Sequence, residues 1–228
     1  MIVAVTGMAR EARLIAHRDV IPVVGGGDPE LLENRIEAAI AKGGRRILSI
    51  GICGALCPGL RVGDVVIASE IVTPDGVCPT SVSWTQELAA RMPNAVVASM
   101  AGVDLVAADH AGKAELRAST NARAVDMESH IAARAAMAHR LPLAALRVVS
   151  DGAHRSLPHA AQVALHPSGG VDMPAVFRSI LCAPLQVLPL MRTAWEAEIA
   201  FAALLRCCGM LHTGFARANF GELLLDVA

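Results

Sequence analysis

Short apolar runs, rich in β-branched residues, dominate this chain, and their pattern is what most constrains its fold. Each breaks off at glycine or an acid and gives way to a segment with helical spacing. The plainest run, Pro142 to Ser150, ends abruptly at Asp151-Gly152. Ile2 to Thr6, Val20 to Val24, Arg46 to Ile50, Val65 to Ile71, Ala95 to Met100 and Ala122 to Val125 read the same way. Strands with no polar–apolar alternation are buried on both faces, as parallel strands under helices are. The helices fall between them, at Met8 to His17, Pro29 to Ala41 behind the N-cap Asp28, Thr85 to Arg91, Ala111 to Ala118 and Glu128 to Arg140. Gly51 to Ala55 reads as a turn and Thr73 to Thr80 as a loop. The alternation predicts an α/β fold: a three-layer α/β/α single domain over 1–228 with a mixed, mostly parallel central sheet.

After Asp151 the texture changes. His154 to Gly170 reads as a long loop, and C-terminal helices follow from about 172, at Met173 to Leu181 and Leu188 to Cys208, with Gly209 as the stop. Val176, Phe177 and Ile180 are expected to pack on the sheet, with the lining of an apolar cleft as the other use.

Composition narrows the function. A formal net charge of −1 gives no electrostatic footprint for nucleic acid. Near-zero charge with positive mean hydropathy predicts association, with a second copy or with something greasy. The six cysteines make no CxxC pair and no zinc pattern, so reduced, buried thiols are expected. The histidines lack metal-ligand spacing. The opening Met1 to Arg13 is charged too soon for a signal peptide, and Trp195 to Leu211 carries Glu196, Glu198 and Arg206. The expected compartment is the cytoplasm.

Ligands of open α/β sheets bind beyond the carboxyl ends of the strands, and several features collect at that edge. Asp151 there is either a desolvated general acid or a turn-making cap. Asp126 and Glu128 follow the Val125 strand, as ligand-facing acids or as helix-dipole partners. Gly25, Gly26 and Gly27 form either an anion cradle at a helix start or a tight turn, and fit neither phosphate fingerprint. Gly51-Ile52-Cys53-Gly54 allows close approach of a ligand or of the chain itself. Glu11, flanked by Arg10 and Arg13, has the bland reading of a solvated ion pair.

The ordered set Gly7-Met8-Ala9…Glu11, Gly51-Ile52-Cys53-Gly54-Ala55-Leu56, Val62-Gly63-Asp64, Val125-Asp126-Met127-Glu128 and Val149-Ser150-Asp151-Gly152 resembles the nucleoside phosphorylase and methylthioadenosine nucleosidase superfamily, over roughly Ile2 to Ala183. Within it, Ala124 to Ser129 and Arg147 to Pro158 most resemble the hopanoid-associated phosphorylases, which remove adenine from adenosylhopane.

The resemblance implies cleavage of the N-ribosidic bond of a 5′-substituted adenosine, with no cofactor and phosphate as the co-substrate. Asp151 would protonate the leaving adenine, Ser150 would orient it, and Glu128 and Asp126 would serve the ribose, with Met127 packed on the sugar. Cys53, Gly54, Val103 and Leu105 would complete the substrate contacts, aliphatic packing replacing an aromatic at the base. Glu11 favours an activated water, whereas the family's name implies phosphorolysis, with Gly25, Gly26, Arg13 and Arg46 as the anion contacts, and phosphorolysis is the expectation. The alternatives are a hydrolytic methylthioadenosine/adenosylhomocysteine-type nucleosidase and a non-catalytic purine-binding protein, against which the Glu128 and Asp151 pair argues. The partners implied are a small nucleoside with an apolar 5′ group, a second copy of the chain, and peripheral contact with the inner face of a membrane.

Overall fold

A computed structural model of the protein describes residues 1–225, with side chains described through Leu211. The remainder of the expected domain, 226–228, lies outside the described residues. Eight strands form one sheet: β1 (Ile2–Thr6), β2 (Val20–Val24), β3 (Arg46–Ala55), β4 (Val65–Thr73), β5 (Gly76–Pro79), β6 (Val96–Gly102), β7 (Ala124–Asp126) and β8 (Leu143–Asp151). β1 runs parallel between β2 and β3. β3 is parallel to β8, β8 antiparallel to β4, β4 parallel to β6 and β6 parallel to β7. β7 then returns, antiparallel, to the last residues of β3. Five strands thus close into a ring, with β1–β2 and β5 attached as wings.

Strand pairing explains two departures from the sequence reading. Gly51 to Ala55 is no turn but the continuation of β3, because β7 pairs with Gly54 and Ala55. Within the expected loop Thr73 to Thr80, residues 76–79 form β5, a hairpin partner of β4.

Helices cover both faces of the mixed sheet, as the alternation predicts. On one side α2 (Pro29–Ala41) and α5 (Ser129–His139) bury Leu32, Ile36, Ile131 and Ala132 against Val5, Ile47 and Val66. On the other, α1 (Ala9–Ile15), α3 (Val82–Arg91) and α8 (Val187–Leu225) bury Ile15, Trp84, Leu88 and Leu204 against Leu48, Leu146 and Val148. Asp28 caps α2 as expected, accepting from the Leu31 N–H at 3.0 Å ahead of Pro29. α4 (His110–Thr120) lies beside β6 and β7, where the partly buried Leu116 packs on Ala101 and Val125. Two short helices, α6 (His159–Gln162) and α7 (Met173–Cys182), follow β8.

α8 runs straight through Gly209, the expected stop. Buried Cys207, Cys208 and Leu211 flank that glycine, and their packing outweighs its helix cost of roughly 1 kcal/mol. All six cysteines are free; Cys53, Cys78, Cys207 and Cys208 are buried, whereas Cys182 is exposed. Phe177 does not pack on the sheet but stands 59 % exposed, while Val176 on the opposite face of α7 is buried.

Candidate active site

The carboxyl ends of β3, β7 and β8 from the ring, and of β1 beside it, meet around a cavity of about 440 Å³. A bulge shapes its floor. β3 and β8 pair through Cys53 and Val149, then resume at Gly54 and Asp151, leaving Ser150 as the extra residue. The Ser150 hydroxyl lies 3.1 Å from the Cys53 carbonyl and 2.9 Å from Asp151 Oδ1. This aims Asp151, the last residue of β8, across the cavity mouth.

Glu11 overturns the solvated reading. It is the third residue of α1, only 2 % exposed, and folds back under the glycine turn. Its Oε2 accepts from the Gly7 and Met8 N–H groups, both at 2.8 Å, and Oε1 accepts from Ile52 N–H at 2.9 Å. Burial raises its pKa, opposed by the nearby Arg147 charge and by these three N–H donors. A Cβ at Gly51 would lie 2.5 Å from Glu11 Oε1 and 2.6 Å from Arg147 Nη1, so β3 must carry glycine there.

Glu128 and Asp126 come from the β7–α5 junction. Asp126 Oδ1 accepts from the Ser129 N–H at 3.0 Å, its Oδ2 from the Ser129 hydroxyl, and Glu128 is the N-cap residue of α5. Beneath them Arg147 of β8 is fully buried. Its Nε lies 2.6 Å from Asp126 Oδ2 and its Nη2 3.2 Å from Glu128 Oε2, and Nη2 donates to Ser49 Oγ at 2.7 Å. Burial, together with the neighbouring Asp126 and Glu11 charges, outweighs Arg147 and pushes the Glu128 carboxyl up to about 7. Gly7 gives Glu128 its room, since a Cβ there would sit 2.6 Å from Oε1.

Asp151 neither caps a helix nor makes a simple turn. It pairs with Lys113 of α4, whose side chain is 1 % exposed and which also donates to the Gly152 and Arg155 carbonyls, both at 3.1 Å.

Of the residues singled out in the sequence, Glu11, Cys53, Gly54, Val103, Asp126, Met127, Glu128, Ser150, Asp151 and Gly26 all border the cavity. Gly25 sits just behind it, against Glu128 and Leu32. Three do not come to it. Leu105 is 81 % exposed and does not line the cavity; Arg13 is exposed on α1. Arg46 lies at the opposite end of β3, stacked over the Trp84 ring at 4.0 Å. Val176, Phe177 and Ile180 do not line the cavity either. Sequence reading missed two functional candidates. Lys113 looked like one charge among several on an alternating helix. Arg147 gave a sharper signal, a lone cation inside an apolar strand.

Among the described residues on the cavity wall there is no lysine or arginine, and none of the chain's described His, Cys, Asp and Glu residues cluster to hold a metal ion. Cys53 is no nucleophile, because burial keeps its thiol pKa well above the usual value. Four acids face a largely apolar chamber with Val106, Leu157, Leu165 and Val171 in its wall. Arg147 and Lys113 behind the wall balance two of those charges, and the remaining excess favours positive charge developing within the chamber.

Residues 3–181 match the phosphorylase superfamily. No curated protein matches the chain. The 5′-methylthioadenosine/S-adenosylhomocysteine nucleosidase of Colwellia psychrerythraea, solved with adenine, is similar with a TM-score of 0.65 at 15 % identity, over 92 % of this chain and 95 % of that one. The Helicobacter pylori nucleosidase, solved with a pyrrolidine inhibitor, has a TM-score of 0.63 at 16 % identity, over 90 % and 96 %. Futalosine hydrolase of Helicobacter pylori has 0.57 at 16 %, over 90 % and 97 %. At these identities the likeness is one of fold.

Proposed function

The chain belongs to the phosphorylase superfamily, and from that premise we propose that it cleaves the N-ribosidic bond of a 5′-substituted adenosine, releasing adenine with water as the nucleophile. The observation that carries this reading is the convergence of Glu11, Glu128 and Asp151 on one cavity whose described wall bears no cation.

In the proposed reaction the C1′–N9 bond breaks and its electron pair leaves with the purine. Lys113, already donating to Asp151 Oδ2, passes a proton through that carboxylate to N7, so the carboxylate relays one proton and the ammonium is restored from solvent after adenine leaves. Glu128 accepts hydrogen bonds from the ribose hydroxyls, and with Asp126 and Glu11 stabilises the cationic sugar. Glu11 takes a proton from water as its oxygen bonds to C1′. Ser150 and the Cys53–Gly54 edge hold the base, and Met127 covers the sugar.

Water is favoured over phosphate because Arg13 and Arg46 lie off the cavity, and the two cations nearest it, Arg147 and Lys113, are already ion-paired with Asp126, Glu128 and Asp151. The 5′ substituent we assign is apolar, the adenosylhopane class that the sequence resemblance implies. Val103, Val106, Leu157, Leu165 and Val171 on the wall support it. A substrate of that kind dissolves in bilayers, which places the enzyme's work at a membrane surface.

The test is adenine release from methylthioadenosine and adenosylhopane at rising phosphate concentration. The expected result is a rate independent of phosphate and a free reducing sugar. A rate proportional to phosphate, with a sugar 1-phosphate as product, would overturn the water reading. No adenine from either substrate would overturn the activity.

A further inference from the structure

The C-terminal arm presents its apolar residues outward. On α7, Met173, Phe177 and Leu181 recur at intervals of four, which puts them on one helix face. They are 50 %, 59 % and 80 % exposed, while Val176 and Ser179 on the other face are buried. A 3-10 turn at Pro184–Gln186 follows, with Leu185 exposed at its centre. The first turns of α8 repeat the pattern, with Leu188, Met191 and Trp195 facing solvent. Among the described residues no single helix is long and apolar enough to cross a membrane. Met173–Cys182 and Pro184–Leu211 are apolar enough only as a pair, and they are bent against each other by 119°.

We propose that this elbow, Val171 to Trp195, docks on an anionic phospholipid bilayer and lays the cavity mouth against the lipid. Three features favour a bilayer over a protein face. The apolar side chains sit on both arms and on the turn between them, which are bent by 119°, and a fluid layer can follow such a bend where a flat protein face cannot. Beside it stand Arg178, Arg192 and Arg155 and the two acids Asp172 and Glu196, a balance of one positive charge. Glu196 is shared by Arg192 at 2.9 Å and Arg155 at 3.4 Å, and Asp172 caps α7 by accepting from the Ala175 N–H, while Arg178 is exposed. That single excess cation suits phosphatidylglycerol headgroups. The elbow is also continuous with the site: Val171, where it begins, is 54 % exposed and at the same time part of the cavity wall. An apolar 5′ substituent then passes from lipid to cavity along Val171 and Leu165, which pair with each other across a short bridge. That last step rests on the substrate class proposed above; the docking does not.

Trp195 gives a built-in readout. The chain has two tryptophans, and Trp84 is buried while Trp195 is 67 % exposed. The full-length protein is mixed with vesicles of phosphatidylcholine alone or with phosphatidylglycerol, then assayed by sedimentation and tryptophan emission. The expected result is binding to the anionic vesicles with a blue shift. Leu185→Glu/Leu188→Glu should weaken binding at least about tenfold, since the driving term is apolar burial, and Arg178→Glu should weaken it selectively on anionic vesicles. Both variants should release adenine from water-soluble methylthioadenosine at the unaltered rate. Wild-type protein left in the supernatant, or a double variant that binds equally well, overturns the proposal. So does a wild-type dimer that the double variant dissolves while neither binds lipid, which gives the face to a second copy. Vesicle binding that is lost in the double variant, with no adenine from methylthioadenosine, leaves the docking standing and sinks the proposed reaction instead.

Discussion

Lys113 and Asp151, one on a helix outside the ring of strands and the other on the ring's edge, meet as a buried ion pair at the mouth of the cavity. The lysine's other donors hold the Gly152 and Arg155 carbonyls, so one ammonium group fixes both the acid and the loop that follows it. Asp151→Asn should lower kcat for adenine release by at least about 100-fold, the scale of a lost general acid. Lys113→Met should cost more in stability, about 3–5 kcal/mol in urea unfolding, because it leaves a buried carboxylate without its partner. Equal turnover by Asp151→Asn removes the acid role.

Glu11→Gln tests the nucleophile. The amide keeps the shape but cannot take a proton, and its NH₂ group meets at least one of the backbone N–H donors that now bind the carboxylate. Single-turnover adenine release should fall by about 10²–10⁴-fold. A variant that retains full hydrolysis shows that water is activated elsewhere.

Glu128 sets a pH dependence. With its carboxyl pushed up to about 7, ribose binding by the ionised form predicts a kcat/KM that climbs through neutrality and levels off above it. In Glu128→Gln that acid limb should vanish along with most of the activity.

Stability runs the other way. A carboxyl whose pKa is higher folded than unfolded favours the native state below about pH 4.5, and the contribution is lost as pH rises through about 7. Relative to wild type, Glu128→Gln should therefore gain up to about 3 kcal/mol at pH 8 but little at pH 4. Thermal melts across that range check the sign, and equal shifts at both ends would refute it.

Gly51→Ala would put its methyl 2.5 Å from Glu11 Oε1 and 2.6 Å from Arg147 Nη1, so Glu11 must leave its three N–H donors to make room. The substitution should destabilise by about 1–3 kcal/mol, as overpacking does, and disable hydrolysis together. A variant crystal structure with Glu11 unmoved and full turnover would contradict the close fit.

Much of the fold was legible because strand and helix periods are local properties. Ile2–Thr6 and Val20–Val24 appear with the expected bounds, and the Asp28–Pro29 helix start is present as read. Closure of the ring was not legible. The pairing of Gly54 with Val125 joins segments seventy residues apart, and nothing local to Gly51–Ala55 separates a turn from a strand awaiting that partner. In the site, Asp126, Glu128 and Asp151 could be read because acids at strand ends are conspicuous. Glu11 reached the cavity for the same reason its exposure was misjudged: flanking arginines suggest a solvated surface, but only the three N–H donors beneath it show which way the helix faces. Lys113 was hidden because the burial of one lysine on a polar helix depends on where α4 docks.

Arg147 makes the three acids unequal partners of one charge. Its guanidinium is ion-paired with Asp126 and Glu128 and offsets the charge of Glu11. Neutralising one acid leaves the cation with partners to spare, whereas replacing the arginine strands three negative groups in the interior at once. The keystone of this chamber is thus a residue that never meets the ligand.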